Sequence, residues 1–149
     1  MEAIVQKAMT AFGVPPHRPN FLFLLPAFFV AQADGKIQMK EVMSIGYNSV
    51  KLGLVTAQEE GSADFNLFLE QMVERFQQKT MLSDLDLLAT AVNARLATVT
   101  PERAKVIRER IYQLCVAVAD ASGPLLGDKI TPEEKQMLQR IFQKLEKES

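Results

Sequence analysis

The chain has 149 residues, 48% of them apolar and 23% charged, which is enough for one well-packed core and a single domain. Seventeen Lys and Arg against eighteen Asp and Glu leave a formal net charge of −1, with no cationic excess to neutralise nucleic-acid phosphates. Cutting the chain after residue 75 separates six basic and eight acidic residues from eleven and ten, so neither half is a charged tail. Cys115 is the only cysteine and His17 the only histidine, which excludes an intramolecular disulfide, a multi-thiolate zinc site and a helix-borne histidine pair. That cysteine usage is read as intracellular, and the cytoplasm is the expected location.

The first helix is expected over residues 2–12, ended by Gly13 and the Pro15, Pro16 and Pro19 connection. His17, between Pro16 and Arg18-Pro19, reads as a loop residue. Glu2 and Lys7 in the first dozen residues argue against a secretory leader. The most apolar stretch, Phe21 to Ala33, falls short of the roughly 20 residues a membrane span needs and is interrupted by Pro26. It is expected as the central core helix within residues 20–33, with Pro26 kinking it or lying in its first turn if it begins near Leu25. A third helix is expected from Gln38 to Leu52.

Phe65, Phe68, Leu69, Met72, Val73 and Phe76 keep one face of a fourth helix, opposite Glu70, Glu74 and Gln77. Ser83 to Val99 reads as a fifth, with Ser83 as cap and Asp84 and Asp86 favourably placed near its start. Thr100 and Pro101 open a sixth, whose stripe is Ile107, Ile111, Leu114, Cys115 and Val118 and which runs to Asp120. Its cations Arg103, Lys105, Arg108 and Arg110 are interleaved with Glu102 and Glu109 and read as a solvated face. Thr131, Pro132 and Glu134 form the cap, first position and third position of a seventh, with Met137, Leu138, Ile141, Phe142 and Leu145 buried. Seven helices and no convincing strand give an all-α domain spanning residues 1–149, with an N-terminal helix and connection over 1–19 and core helices over 20–147.

Two stretches echo each other. Ala31-Gln32-Ala33-Asp34-Gly35-Lys36-Ile37 runs on to Glu41, and Ala117-Val118-Ala119-Asp120 is followed, after an insertion, by Gly127-Asp128-Lys129-Ile130 and Glu134. Aligning Lys36-Ile37 with Lys129-Ile130 places Glu41 on Glu134. In this pattern the chain resembles the TerB-like tellurite-resistance family, whose members carry an alanine-rich helix, an Asp-Gly turn and a downstream Glu. The resemblance covers roughly residues 20–145, and the second copy departs from it by the insertion between Ser122 and Leu126. It implies an all-α fold of about seven helices in two pseudo-symmetric helix-turn-helix units. It further implies a non-enzymatic stress-response protein, associated with membrane-bound or multiprotein assemblies and binding a divalent cation through acidic residues.

Asp34, Glu41, Asp120, Asp128 and Glu134 are the candidate metal residues, a hard-oxygen set suited to Ca²⁺ or Mg²⁺ if the two turns meet. The competing reading is structural: Asp34-Gly35 as a helix-ending turn, Glu134 as part of a capping box, and Asp128 as a turn residue. An EF-hand is excluded, because the third, fifth and twelfth positions counted from Asp34 hold Lys36, Gln38 and Ile45. Cys115, inside an apolar stripe, reads as a small hydrophobe. The expected partners are proteins, with a homodimer open and neither nucleic acid nor a membrane span. No catalytic pair is legible, leaving metal-assisted hydrolysis as the sole enzymatic route. The alternative function is a helical bundle holding an apolar small ligand in a cavity lined by some of its seven Met and nine Phe.

Overall fold

The computed structural model describes residues 2–33, 35–78, 82–122 and 131–146, and the described residues form helices and connections without a strand. The helices are α1 (Ala3–Phe12), α2 (Leu25–Gln32), α3 (Met39–Lys51), α4 (Ala57–Glu60), α5 (Ala63–Gln77), α6 (Leu82–Leu96), α7 (Pro101–Ser122) and α8 (Pro132–Glu146), with a 3₁₀ segment, Pro19–Leu24, ahead of α2. The architecture is the all-α one expected from periodicity. Seven of these helices overlap the seven read from the sequence, the second of them only in its latter part. The eighth, α4, is one turn long, and its Thr56-x-x-Glu59 capping box was present in the sequence.

The stretch expected as one helix over residues 20–33 is divided. Leu25 starts α2, Pro26 lies in its first turn, and the preceding residues wind as a tighter 3₁₀ segment opened by Pro19. Proline is tolerated there because the first N–H groups of a helix have no intrahelical acceptor. Every residue of α2 from Leu25 to Ala31 is buried. It packs against α7, α5, α8, α3 and α6, and so forms the axis of the molecule. Ser83, expected to cap α6, lies one residue inside that helix and is exposed.

Around α2 the phenylalanines form a continuous ring cluster. Phe76 lies 5.0 Å from Phe29 and 5.6 Å from Phe28 by ring centroid, and stacks on Phe12 at 6.5 Å. Phe68 contacts Phe21 and Phe28, and Phe65 meets Phe21 edge-on. These offset and edge arrangements favour the ring quadrupoles as well as removing apolar surface from water. α1 joins the same core through Val5, Ala8, Met9 and Phe12 and packs on α6. Gly13 then ends it in the left-handed conformation, φ 73°, with Val14 N–H returning to the Met9 carbonyl at 2.8 Å.

Helix pairings follow the internal echo in part. Exchanging α1 with α6, α2 with α7 and α3 with α8 maps the α1–α6 and α2–α7 packings onto themselves, α3–α7 onto α2–α8, and α2–α3 onto α7–α8. The exchange breaks at α6–α8 and at α2–α6, which have no comparable α1–α3 and α1–α7 packings among the described residues.

Phe76→Ala removes a fully buried ring from this cluster and is expected to lower unfolding free energy by about 3–5 kcal/mol. Leu67→Ser, on the exposed side of the same helix, is expected to change it by no more than about 0.5 kcal/mol. Urea unfolding followed by circular dichroism checks both.

Candidate functional site

Glu41 and Glu134 occupy the same position, third residue of the helix, in α3 and α8, and both are fully buried. Gln38 N–H donates to Glu41 Oε1 at 2.7 Å, and Glu41 N–H donates to the Gln38 carbonyl at 3.0 Å. At the other helix, Thr131 N–H and its hydroxyl each donate to Glu134 Oε1 at 3.1 Å, while Glu134 N–H donates to Thr131 Oγ1 at 3.2 Å. Each carboxylate thus satisfies a backbone donor at a helix start and places negative charge at the positive end of the helix dipole. Four residues on, Ile45 and Leu138 are both buried, so the two helices enter the core in the same register.

The other candidate metal residues are placed differently. Asp120 is exposed near the C-terminal end of α7, and Asp34 and Asp128 lie outside the described residues. Among the described residues no three His, Cys, Asp or Glu side chains gather closely enough to hold a metal ion. Glu41 and Glu134 therefore have a structural role that their sequence spacing announced for Glu134 alone. The signal for Glu41 was Gln38 three residues before it, a weaker cap than Thr.

No family model, no curated protein and no solved structure matches this chain. The functional reading therefore rests on its own residues.

His17 and Arg18, in the proline-bearing connection, tie that segment to α4 and the start of α5. His17 Nε2 lies 2.7 Å from Asp64 Oδ2, and Arg18 reaches Glu59 at 3.5 Å and Asp64 at 3.9 Å. Cys115 is fully buried in α7, and burial pushes its thiol far above the ordinary range, so the nucleophilic thiolate is suppressed.

The cations of α7 do not form the uniform solvated face expected of them. Arg103 and Lys105 are exposed, but Arg110 lies against Gly53, whose φ is +76°. Arg108 crosses to the end of α8, donating through Nε to the Leu145 carbonyl at 3.0 Å and through Nη2 to Asn93 Oδ1 at 3.4 Å. Asn93 in turn donates to the Lys144 carbonyl at 3.0 Å, and Lys144 pairs with Asp86. Side chains of α6 and α7 thereby satisfy the terminal carbonyls of α8. Beside them lies an open cleft of about 710 Å³ between α6 and α7, walled by Leu96, Val99, Ala104, Lys105, Arg108 and Tyr112. Among the described residues no Met or Phe lines it: the phenylalanines pack in or against the core, and Met39 and Met43 face solvent.

Glu41→Ala is expected to destabilise the protein by about 1–3 kcal/mol through the lost cap and the unsatisfied Gln38 N–H. Glu41→Gln, whose amide oxygen still accepts that bond, is expected to cost less. Urea midpoints measured with EDTA and with millimolar Ca²⁺ check the assignment: a loss seen only with the cation present would show a metal ligand instead of a cap.

Proposed function

We propose that this chain is a non-catalytic helical module of the TerB-like kind, acting in a tellurite-associated stress response by binding partner proteins, with a divalent cation as a subsidiary ligand. The observation that carries the reading is the repeated helix entry: the Glu41 and Glu134 positions of the sequence echo return as two buried carboxylates capping two core helices. A non-catalytic role is supported by the state of the usual nucleophile and base, Cys115 buried with its thiol proton held and His17 paired with an exposed aspartate on a surface connection.

Within this reading the cation would be held chiefly by Asp34, Asp120 and Asp128, because Glu41 and Glu134 are engaged at helix starts. Carboxylate oxygens select Ca²⁺ or Mg²⁺ over thiophilic metals. No described helix is long and apolar enough to cross a membrane.

One observation favours the alternative, a bundle that holds a small ligand. The α6–α7 cleft has a volume within the roughly 300–1,000 Å³ range of ligand pockets, and its mixed wall suits a molecule with an apolar body and a polar end. Native mass spectrometry of the protein before and after organic extraction separates the two readings, since a retained small molecule belongs to the second alone.

Amide NMR during Ca²⁺ and Mg²⁺ titration tests the cation. Saturable shifts near Gly35 and Asp120 are expected, and Asp34→Asn/Asp120→Asn is expected to abolish them. Silence at millimolar cation would remove the metal from the proposal and leave both turns structural.

A further inference from the structure

Met39 and Met43 are the two most exposed large hydrophobic side chains of the described residues, at 72% and 67%. Four-residue spacing sets them one above the other on α3, opposite Glu41, Ile45 and Ser49, which are buried. Neither belongs to the core cluster or to the side chains packed against it. The other described methionines are placed in the reverse way. Met9 and Met72 are 4% and 1% exposed, and Met137 packs on the core from α8.

Sulfur chemistry in a protein ordinarily begins at a cysteine thiolate, and here that route is closed. Cys115 is fully buried in α7, and burial keeps the proton on its sulfur, so the thiol neither meets solvent nor ionises. A thioether has no proton to lose and its oxidation follows access. The most accessible sulfurs of the described residues are therefore the two on α3.

We propose that Met39 and Met43 form a reversible oxidation site, at which hydroperoxides turn the outer face of α3 from apolar to polar without disturbing the fold. In each event a sulfur lone pair attacks the terminal oxygen of the hydroperoxide, and an S–O bond forms as the O–O bond breaks. The proton on the transferred oxygen passes to the leaving oxygen, which departs as water or an alcohol. Sulfur gives up two electrons and the hydroperoxide takes the same two. Sulfoxide reductases, one for each sulfoxide epimer and driven by thiols, return the thioether.

Position makes the change local. A sulfoxide oxygen at Met9 or Met72 would be a polar group inside an apolar core, where its desolvation is uncompensated. On the outer side of α3 water solvates it, and the buried side of the helix is untouched. Met39, Met43 and Tyr47 make up the exposed apolar stripe of α3, so oxidation of two sulfurs leaves only Tyr47 of it.

The test treats the full chain with hydrogen peroxide at millimolar concentration and follows each methionine by peptide mass spectrometry. Met39 and Met43 are expected to gain oxygen at least about tenfold faster than Met9 and Met72. The circular dichroism spectrum and urea midpoint of the protein oxidised at both positions are expected to match those of untreated protein, while its retention on a hydrophobic-interaction column falls. Met39→Leu/Met43→Leu keeps the stripe apolar and removes both sulfurs, and its retention is expected to survive the same treatment. Incubation with both reductases and dithiothreitol is expected to restore the thioethers and the retention of the wild type.

Oxidation of Met9 or Met72 as fast as the α3 pair would overturn the proposal, as would a lowered urea midpoint when only Met39 and Met43 carry oxygen. So would a retention change in treated Met39→Leu/Met43→Leu equal to that of the wild type, or sulfoxides that the reductases leave in place. Each readout is made on the isolated protein, so a failed search for a partner protein would leave the oxidation site standing.

Discussion

Leu25 to Ala31 carries apolar atoms in every direction around a short helix, and the fold depends on covering it. A helix without a polar side is stable in water only when other helices surround it. Here α7, α5, α8, α3 and α6 do so, each contributing one apolar stripe. The phenylalanines enlarge that effect, because Phe21, Phe28 and Phe29 meet Phe12, Phe65, Phe68 and Phe76 arriving from α1 and α5. Burial of these rings, each contributing on the order of 1.5–3 kcal/mol, dominates the favourable side of folding. Hydrogen bonds then decide which way the surrounding helices enter and leave.

Those bonds are concentrated at helix ends. A helix that begins next to a packed core has N–H groups that water cannot reach, so a side chain must satisfy them. Glu41 does this for α3 and Glu134 for α8, and complete burial of both carboxylates makes them part of the core boundary. At the far end of α8 the requirement is reversed, and Asn93 and Arg108 supply donors to the Lys144 and Leu145 carbonyls. α8 is thus tied to α6 and α7 at its C-terminal end, and a substitution at Arg108 acts on helix packing as well as on surface charge.

Against this well-satisfied interior the outer side of α3 stands apart. Its inner side is fixed by Glu41, Ile45 and Ser49, so Met39, Met43 and Tyr47 cannot be buried by any rotation of the helix without exposing the capping carboxylate. Their exposure follows from the register that the cap imposes. The exposed apolar stripe is therefore built into the same helix entry that anchors α3.

The seven principal helices were legible because apolar spacing of 3.6 residues and the Thr100-Pro101 and Thr131-Pro132-x-Glu134 starts are local properties of the chain. Burial of the Phe21–Ala31 stretch and of Cys115 was legible for the same reason. The one-turn α4 was legible in Thr56 and Glu59 but too short for periodicity to reveal. What local spacing could not decide was the destination of polar side chains. Glu41 has the same composition signal whether it binds a cation or caps Gln38, and Arg108 whether it is solvated or bonded to a carbonyl 37 residues away. Which segments are helical and which stripe of each is apolar follow from local spacing along the chain; which carboxylates are buried, which cations are engaged and which apolar side chains stay exposed follow from the packing, because each depends on neighbours that are distant in sequence.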